Sequence, residues 1–445
     1  MNIIVKNTHS FLDIKNKDVI KVLRKKYSAK IKGYRYSKAF KKGWDGSKYF
    51  ITEKGKFGTG LLSFIKEDLT TAGISYSVVD ERPSLLKKYD IEVPSVKYRP
   101  YQKSLILEAL HNKTAIIESP TGSGKTVILA GLLQALRGHA GLVFFTQKSI
   151  LLQTYEFLKE AGFDVGIAFG DGVDIKPLTL CTVQSVEKVL DTHLKEAKFI
   201  IFDEVHEFSK GKLTTSVIKS FPNATYRFGM TATVPKERLS KLNLVSYLGG
   251  VLSNVDVENL VLEGFLTPPV INFIEMPPYK THDLLDKTYA DIYDSHIVNN
   301  EYRNIQIRDL CKKITKGKVL ILVKNLTHLQ ILKDLIPESV TLEGKDKMDY
   351  RKETIKNFKK SNRSVLIGTK IMQTGVNIPE ITHLINARGL KSEIATIQAL
   401  GRALRIHESK KQVEIYDFND KVPYLKEHSL ARRRAYKSLK IKING

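Results

Sequence analysis

One short segment limits the folds open to this chain more than any other. The segment Ser119–Thr126, SPTGSGKT, follows the apolar run Thr114–Glu118 and precedes the apolar stretch Val127–Leu136. The first run predicts a buried strand and the second predicts a helix. Glycines let backbone N–H groups turn inward around a phosphate, and the helix N-terminus adds partial positive charge. The segment therefore predicts a phosphate-binding loop between a strand and a helix of an α/β sheet.

The loop also supplies the side chains that a nucleoside triphosphate needs. Lys125 can reach the β- and γ-phosphates, and the Thr126 hydroxyl can ligate Mg²⁺. Ser119 stands where the motif G-x-x-x-x-G-K-[ST] usually has glycine, and serine is small enough to replace it. We expect ATP and Mg²⁺ as cofactors, held by Thr121, Gly122, Ser123, Gly124, Lys125 and Thr126. The alternative, a glycine-rich turn with a solvated lysine, fits less well because strand, helix and GKT all occur together.

The charge of the chain indicates a polyanionic partner. Its 445 residues contain 72 Lys and Arg against 47 Asp and Glu, a net charge of +25, and residues 1–60 alone contain 16 against 4. Such an excess favours nucleic acid, although lysines scattered over a solvated surface would give the same total. No apolar run is long enough to span a membrane, and the N-terminus lacks the apolar core of a secretory signal. Two distant cysteines suggest neither a disulfide framework nor zinc, so the expected location is the cytoplasm.

The order of apolar runs predicts three domains. Residues 1–90 are expected to form a small basic α+β domain that binds nucleic acid. Residues 97–265 alternate strands with helices, as in TAIIES, GLVFFT, LTLCTV, FIIFDE and YRFGMT, which favours a parallel sheet covered on both faces. A second series, KVLILVKN, SVLIGT, HLINAR and VEIYDF, occupies residues 266–445 without a phosphate loop.

A second motif, DEVH, directly follows the apolar run Phe199–Phe202. Open α/β sheets bind ligands at the carboxyl ends of their strands, where these carboxylates are predicted to lie. We expect Asp203 to hold Mg²⁺ through water, and Glu204 to orient and deprotonate the attacking water. His206 can relay between the nucleotide and a neighbouring site.

The order of four motifs resembles that of superfamily 2 helicases. These motifs are SPTGSGKT, DEVH, GMTAT at 229–233 and QALGRALR at 398–405, and the similarity covers roughly residues 97–410. The resemblance implies two RecA-like domains with ATP between them and nucleic acid across both. It also implies that Gln102 reads adenine and that Thr231 and Thr233 link the ATP site to the nucleic-acid site.

The second domain is expected to contribute arginines. The segment 398–405 reads as a helix, in which Gln398, Arg402 and Arg405 share one face. A guanidinium is always charged and offers a planar fork of donors, which suits a γ-phosphoryl group in its transition state. By resemblance, Gln398 contacts the nucleotide, Arg402 and Arg405 approach the γ-phosphate, and Arg405 is the arginine finger.

Hydroxyl and amide side chains at strand ends are candidates for binding the nucleic-acid backbone, because they can contact phosphates without reading sequence. These candidates are Thr146, Gln147, Thr182, Gln184, Lys324, Asn325, Thr369 and Gln373. In the last of these segments, LIGTKIMQTGVNIPE at 366–380, Asn377 stands where many relatives have Asp.

The N-terminal region resembles that of phage UvsW-type helicases. The residues that carry this resemblance are Trp44, Asp45, Gly46 and the segment VDERP. That group remodels branched DNA in recombination, repair and replication, migrating Holliday junctions, regressing forks and removing R-loops. Trp44 is a candidate for stacking on an opened base, although the aromatic residues could equally form the core of the small domain. The basic segment 426–442 is expected either to touch DNA or to fray as a solvated helix.

Four functions compete to explain these features. The favoured one is an ATP-driven DNA helicase acting on branched DNA in the cytoplasm, which would be the host's if a phage encodes the chain. An RNA helicase, or a duplex translocase that separates no strands, uses the same motifs. A scaffold with an inactive ATP site is disfavoured because Lys125, Asp203, Glu204, Arg402 and Arg405 are all present.

Overall fold

A computed structural model of the chain describes residues 1–14, 17–209, 212–253, 255–278, 287–369 and 378–444. The chain divides into two compact units, Met1–Ser119 with Gly124–Asn254 and Pro120–Ser123 with Val255–Gly445. Among the described residues, no helix has the length and apolar content required to cross a membrane.

The first 80 residues fold around a small sheet, as the α+β prediction requires. Its strands lie in the order β5-β2-β1-β6, with β1 antiparallel to β2 and parallel to β6. A separate antiparallel pair, β3 and β4, lies outside this sheet. The elements are β1 (Asn2–Val5), β2 (His9–Asp13), α1 (Lys17–Lys26), β3 (Ser28–Lys30), α2 (Lys38–Lys41), β4 (Ser47–Tyr49), β5 (Lys56–Gly58), α3 (Leu62–Thr71) and β6 (Ser77–Asp80).

The rest of the first unit is built on an eight-stranded sheet in the order β10-β9-β11-β8-β12-β13-β7-β14. Every pairing in it is parallel except that of β9 with β10, so the predicted parallel sheet is confirmed. Its elements are α4 (Pro100–Asn112), β7 (Thr114–Glu118), α5 (Lys125–Ala135), β8 (Gly141–Phe145), α6 (Lys148–Glu160), β9 (Gly166–Phe169), β10 (Gly172–Asp174), β11 (Leu178–Thr182), α7 (Glu187–Leu190), β12 (Phe199–Phe202), α8 (Lys212–Ser220), β13 (Tyr226–Thr231), α9 (Arg238–Leu248) and β14 (Val251–Leu252).

The small N-terminal sheet packs closely on α9 and β13 of the larger one. Gly58 and Gly60 are buried against the backbone of α9, where an added Cβ would lie 2.1 Å from the carbonyl oxygens of Ser246 and Val245 respectively. Arg227 of β13 is fully buried, and its guanidinium donates to Asn7 O at 3.0 Å and to the hydroxyl of Thr8 at 2.9 Å. Residues 1–80 are therefore joined to the first RecA-like domain by backbone contacts and buried hydrogen bonds.

The second unit contains a seven-stranded parallel sheet in the order β17-β18-β16-β19-β20-β15-β21. The four strands expected from the sequence are β16, β18, β19 and β20. The elements are α10 (Val257–Leu262), β15 (Pro269–Glu275), α11 (Tyr289–Tyr293), α12 (Glu301–Lys313), β16 (Gly317–Leu322), α13 (Leu326–Leu335), β17 (Val340–Leu342), α14 (Met348–Lys360), β18 (Arg363–Gly368), β19 (Ile381–Asn386), α15 (Glu393–Ala403), β20 (Val413–Asn419), α16 (Leu425–Ser438) and β21 (Lys442–Asn444).

The basic segment near the end of the second unit is a packed helix rather than a frayed one. Arg432 of α16 is fully buried, and its Nε donates to Asp417 Oδ1 of β20 at 2.9 Å. Tyr436 donates from its hydroxyl to Asp417 Oδ2 at 2.9 Å, and Arg303 of α12 pairs with Asp420 at 2.6 Å. Because these buried charges are paired, α16 is fixed to the sheet and only its outer face offers basic side chains.

Candidate active site

The DEVH motif lies at the carboxyl end of β12, as the sequence predicts. All four residues of β12 are buried, and β12 runs parallel to both of its neighbours, β8 and β13. Glu204 adopts a left-handed backbone conformation with φ of 48°, which is uncommon for a residue with a Cβ. The chain turns sharply there into a 3₁₀ helix over Val205–Phe208, so both carboxylates stand at the strand end.

The phosphate-loop lysine lies beside these carboxylates. Lys125 begins α5, and its Nζ lies 3.7 Å from Glu204 Oε1 and donates to Ser119 O at 3.3 Å. Burial raises the pKa of Asp203, and the negative charge of Glu204 raises it further, while Lys125 opposes the shift. A carboxyl group whose anionic form is disfavoured by burial gains from a cation placed next to it, which is the property expected of a magnesium ligand.

His206 connects the acidic motif to the TAT segment. Its Nδ1 lies 2.9 Å from the hydroxyl of Thr231, and Thr231 accepts from the backbone N–H of Thr233 at 3.1 Å. Burial disfavours the imidazolium, but hydrogen bonds to Glu204 and Glu207 outweigh burial and raise the pKa of His206 to about 9. The predicted coupling residues thus connect Glu204 to Thr233, through the ion pair of Glu204 with His206 at 3.3 Å and then through the hydrogen bonds of Thr231.

Gln102 lies against the phosphate loop. It is buried in the first turn of α4, and its side-chain oxygen accepts from Arg99 N at 2.8 Å. Its Nε2 lies 2.6 Å from the position that a Cβ on Gly124 would occupy, and Gly124 has a left-handed φ of 85°. Glycine is required here for both conformation and space, and Gln102 is held where it can face a nucleotide bound at the loop.

In the second unit the helix predicted over 398–405 begins five residues earlier and ends two residues sooner than expected. α15 begins at Glu393, capped by Ser392, and ends at Ala403, so Gln398 and Arg402 lie on the helix and Arg405 follows it. The backbone carbonyl of Arg405 accepts from the Thr267 hydroxyl at 3.3 Å. Burial lowers the pKa of the Arg405 guanidinium, which marks a partly desolvated cation.

Four candidates for nucleic-acid contacts lie at the carboxyl ends of strands, the position that the sequence predicts. Thr146, Thr182, Lys324 and Thr369 follow or end β8, β11, β16 and β18 respectively. Several already have local partners. Thr182 donates to Ser185 at 3.0 Å, and the Lys324 ammonium lies 4.1 Å from the Tyr293 ring centroid.

The amide candidates serve as helix-start residues. Gln147 is the N-cap residue of α6, and Gln184 lies in a short 3₁₀ turn. Asn325 accepts from His328 N at 3.2 Å as the N-cap of α13. Gln373 and Asn377 lie outside the described residues.

Two residues that hydrogen-bond to segments next to this site carried no signal in the sequence. Glu118, at the end of β7, accepts from Val234 N at 2.7 Å and so holds the segment that follows TAT. Asn243, in the middle of α9, donates to Ser209 O at 2.9 Å, next to the DEVH turn. Neither belongs to a motif with a fixed spacing, and only the packing of α9 and β7 reveals them.

The comparisons with known proteins agree with this geometry. Residues 95–236 match the family described as "Type III restriction enzyme, res subunit", and residues 303–407 match "Helicase conserved C-terminal domain". Two RecA-like sheets with these domains and ordered motifs define a class of ATP-dependent motor enzymes. The chain is a superfamily 2 helicase.

Within that class the chain is similar to UvsW. It is 25% identical over 440 residues to "ATP-dependent DNA helicase uvsW" of Enterobacteria phage T4, covering 89% of this chain and 86% of that protein. It is 24% identical to "DNA 3'-5' translocase XPB2" of Sulfurisphaera tokodaii over 403 residues, covering 81% and 88% of the two chains. The fold is also that of S. cerevisiae Dbp5 solved with RNA and ADP BeF3, with a TM-score of 0.56, 17% identity and coverage of 78% and 89%.

Proposed function

We propose that this helicase uses ATP hydrolysis to unwind or branch-migrate branched DNA, including Holliday junctions, forks and R-loops. The observation that carries the proposal is the hydrogen-bonded and ionic chain from Lys125 through Glu204 and His206 to Thr231. The choice of DNA is supported by the similarity to the T4 enzyme, which extends over 89% of this chain.

The residues of the first unit fit ATP with Mg²⁺. Gly122 and Gly124 have left-handed φ values of 88° and 85°, which lets a loop wrap its N–H groups around phosphates. Lys125 would hold the β- and γ-phosphates, while Thr126 and Asp203 would hold the ion, Asp203 partly through water. The bound ion would neutralise charge developing on the phosphates.

Glu204 is proposed as the base that orients and deprotonates the attacking water. Its carboxylate lies 3.7 Å from Lys125 Nζ and 3.3 Å from His206 Nδ1, so it is held between two basic groups. When the γ-phosphate draws Lys125 toward itself, the pair with Glu204 loosens and the carboxylate becomes available to a water molecule. Through His206, the same change reaches Thr231 and the TAT segment.

Arg402 and Arg405 are proposed to stabilise the charge of the transferring phosphoryl group, with Gln398 contacting the nucleotide. Burial lowers the pKa of Arg405, and a desolvated guanidinium gains more from an anion than a solvated one does. Arg405 lies beyond the end of α15, where backbone rotation is less restricted than within a helix.

The test is ATP hydrolysis measured without polymer and with a forked DNA, a Holliday junction, linear duplex, single strands and RNA. We expect the branched substrates to stimulate hydrolysis most, and strand separation to require hydrolysis. Glu204→Gln should lower kcat by about 10²- to 10⁴-fold while ATP still binds. Glu207→Gln is the matched control, because it removes the other carboxylate beside His206 and should keep kcat within about threefold. Strong preference for RNA would overturn the DNA assignment, and near-normal hydrolysis in Glu204→Gln would overturn the base assignment.

A further inference from the structure

The most basic segment of the N-terminal region forms a distinct surface, residues 31–44, which we call the basic lobe. It joins β3 to β4, and residues 30–44 contain six Lys and Arg and no Asp or Glu. All six of these cations are exposed, and five of them belong to the lobe itself: Lys32, Arg35, Lys38, Lys41 and Lys42. Concentrated positive charge on an exposed connection favours binding to a phosphate backbone.

Most aromatic residues near the lobe hold it together. The Tyr34 ring fills the space over Gly46, where an added Cβ would lie 2.0 Å from a ring carbon, and packs edge-to-face with Phe40 at 5.2 Å. Trp44 is half-buried and donates from Nε1 to Ser47 O at 3.1 Å, and the Tyr49 hydroxyl donates to Asp45 at 2.8 Å. Trp44, the expected stacking residue, therefore has a structural partner in β4, at the base of the lobe.

Tyr36 differs from all of these residues. It is 91% exposed, the highest value among the large apolar and aromatic side chains found exposed in the described chain. Its backbone is fixed in a 3₁₀ turn over Tyr34–Tyr36, where Tyr36 N donates to Gly33 O at 3.0 Å. Because its backbone is already ordered, binding through this ring would cost little backbone conformational entropy. Arg35 and Lys38 are close to Tyr36 in the sequence.

The base of the lobe is attached to the helicase domain beside the DEVH turn. Lys48 of β4 donates from Nζ to Asn243 Oδ1 at 2.7 Å, and Asn243 donates in turn to Ser209 O at 2.9 Å. Arg238, the first residue of α9, donates to Ser28 O of β3 at 2.9 Å. The two strands that hold the lobe are thus bonded, through α9, to the segment that follows the acidic motif.

We propose that Tyr36 stacks on an unpaired nucleobase at the branch point of the DNA, while the lysines of the basic lobe hold the flanking phosphates. Every base has a π-face, so stacking on one exposed ring tolerates any sequence, as an enzyme that moves a branch requires. The cations supply affinity for any nucleic acid, and the ring adds preference for a site with an unstacked base. This inference rests on the proposed function and names the residue that recognises its substrate.

The experiment compares full-length variants on a fork and on a blunt duplex of equal length, with affinity measured by fluorescence anisotropy. Tyr36→Ala should weaken binding to the fork by about 5- to 50-fold and binding to the duplex by much less. Tyr36→Trp should bind the fork as well as the wild type does. The matched control is Tyr350→Ala, which removes a tyrosine of α14 that is 50% exposed. This variant should bind both the fork and the duplex as the wild type does.

A second arm pairs the protein change with a change in the DNA. Forks carrying a single abasic site are scanned across the three nucleotides on each side of the branch. At one position the missing base should cost the wild type about as much affinity as Tyr36→Ala does, and it should cost Tyr36→Ala nothing more. Additive losses at every position would overturn the stacking contact.

The lysines have their own readout. The triple variant Lys38→Ala, Lys41→Ala, Lys42→Ala should weaken fork and duplex alike. It should also lower the slope of log affinity against log salt by about one for each phosphate that the protein no longer neutralises. An unchanged salt slope would overturn the phosphate contacts.

If the wild type prefers forks and Tyr36→Ala keeps that preference, the stacking proposal fails while the proposed function stands. If DNA stimulates no hydrolysis in the wild type, the proposed function fails and the stacking proposal fails with it.

Discussion

Replacing Gly60 by alanine should weaken the attachment of the N-terminal sheet to the first RecA-like domain. Gly60 lies in the 3₁₀ turn Thr59–Leu61 and is buried against the last turns of α9. A Cβ at this position would lie 2.1 Å from Val245 O, 2.5 Å from Gly249 N and 2.9 Å from Leu248 N. All three atoms are backbone, so no side chain can rotate to make room.

The size of the effect follows from these distances. A carbon normally approaches a carbonyl oxygen to about 3.3 Å, so the turn and the helix must separate by more than an ångström. Val245 O already accepts from Gly249 N at 3.0 Å and cannot tilt away without losing that bond. Overpacking of this kind lowers the free energy of unfolding by about 1–3 kcal/mol. Alanine also restricts the unfolded chain, which raises the free energy of unfolding by up to about 1 kcal/mol. Because three backbone atoms are involved, we expect a net loss of about 2 kcal/mol.

The assay is urea unfolding followed by the fluorescence of Trp44, the single tryptophan of the chain, which lies in the N-terminal region. Gly250→Ala is the matched control at the same junction, because its Cβ would meet Phe64 and Ser63 only at 3.8 Å and 3.9 Å. Gly250→Ala should unfold within about 0.5 kcal/mol of the wild type. Equal free energies of unfolding for the two glycine variants would refute the close packing argued here.

Three further predictions concern buried polar groups. Asn243→Ala removes the acceptor of Lys48 and the donor to Ser209 O, so it should destabilise the first unit by about 1–3 kcal/mol in the same Trp44 assay. An unchanged urea midpoint would contradict a stabilising role for these two hydrogen bonds. The pKa of His206 is raised to about 9, so protonated His206 stabilises the fold, fully so below its unfolded pKa of about 6.5. This contribution to the free energy of unfolding is at most about 3 kcal/mol, and it is lost as the pH rises through 9. Glu207→Gln should lower the pKa of His206 in an NMR titration and flatten this loss, and an unshifted titration contradicts it. Burial lowers the pKa of His328 to about 3, so His328 stabilises the second unit above its unfolded pKa and should cost about 2 kcal/mol at pH 5. His328→Gln should remove this dependence between pH 7 and pH 5 in urea unfolding followed by circular dichroism, and an equally steep dependence would count against it.

The sequence alone determined the chemistry and the two parallel sheets. The phosphate loop, the DEVH motif and the TAT segment are short, and each requires a particular strand end and turn, so the sequence suffices to place residues such as Lys125, Glu204 and Thr231. Parallel strands read as continuous apolar runs, which is why β7, β8, β12 and β16 lie where the sequence predicts them. Spacing along the chain is enough for such features because their geometry is local.

Only the tertiary structure decided which residues are inside and which are exposed. Trp44 and Tyr36 lie eight residues apart in one basic, aromatic segment, and nothing in that segment shows that the first is held internally and the second faces solvent. Asn243 and Gly60 matter because α9 packs against β4 and the turn before α3, contacts between residues nearly 200 positions apart. Such contacts depend on how segments that are distant in the sequence pack together, so local sequence patterns do not predict them.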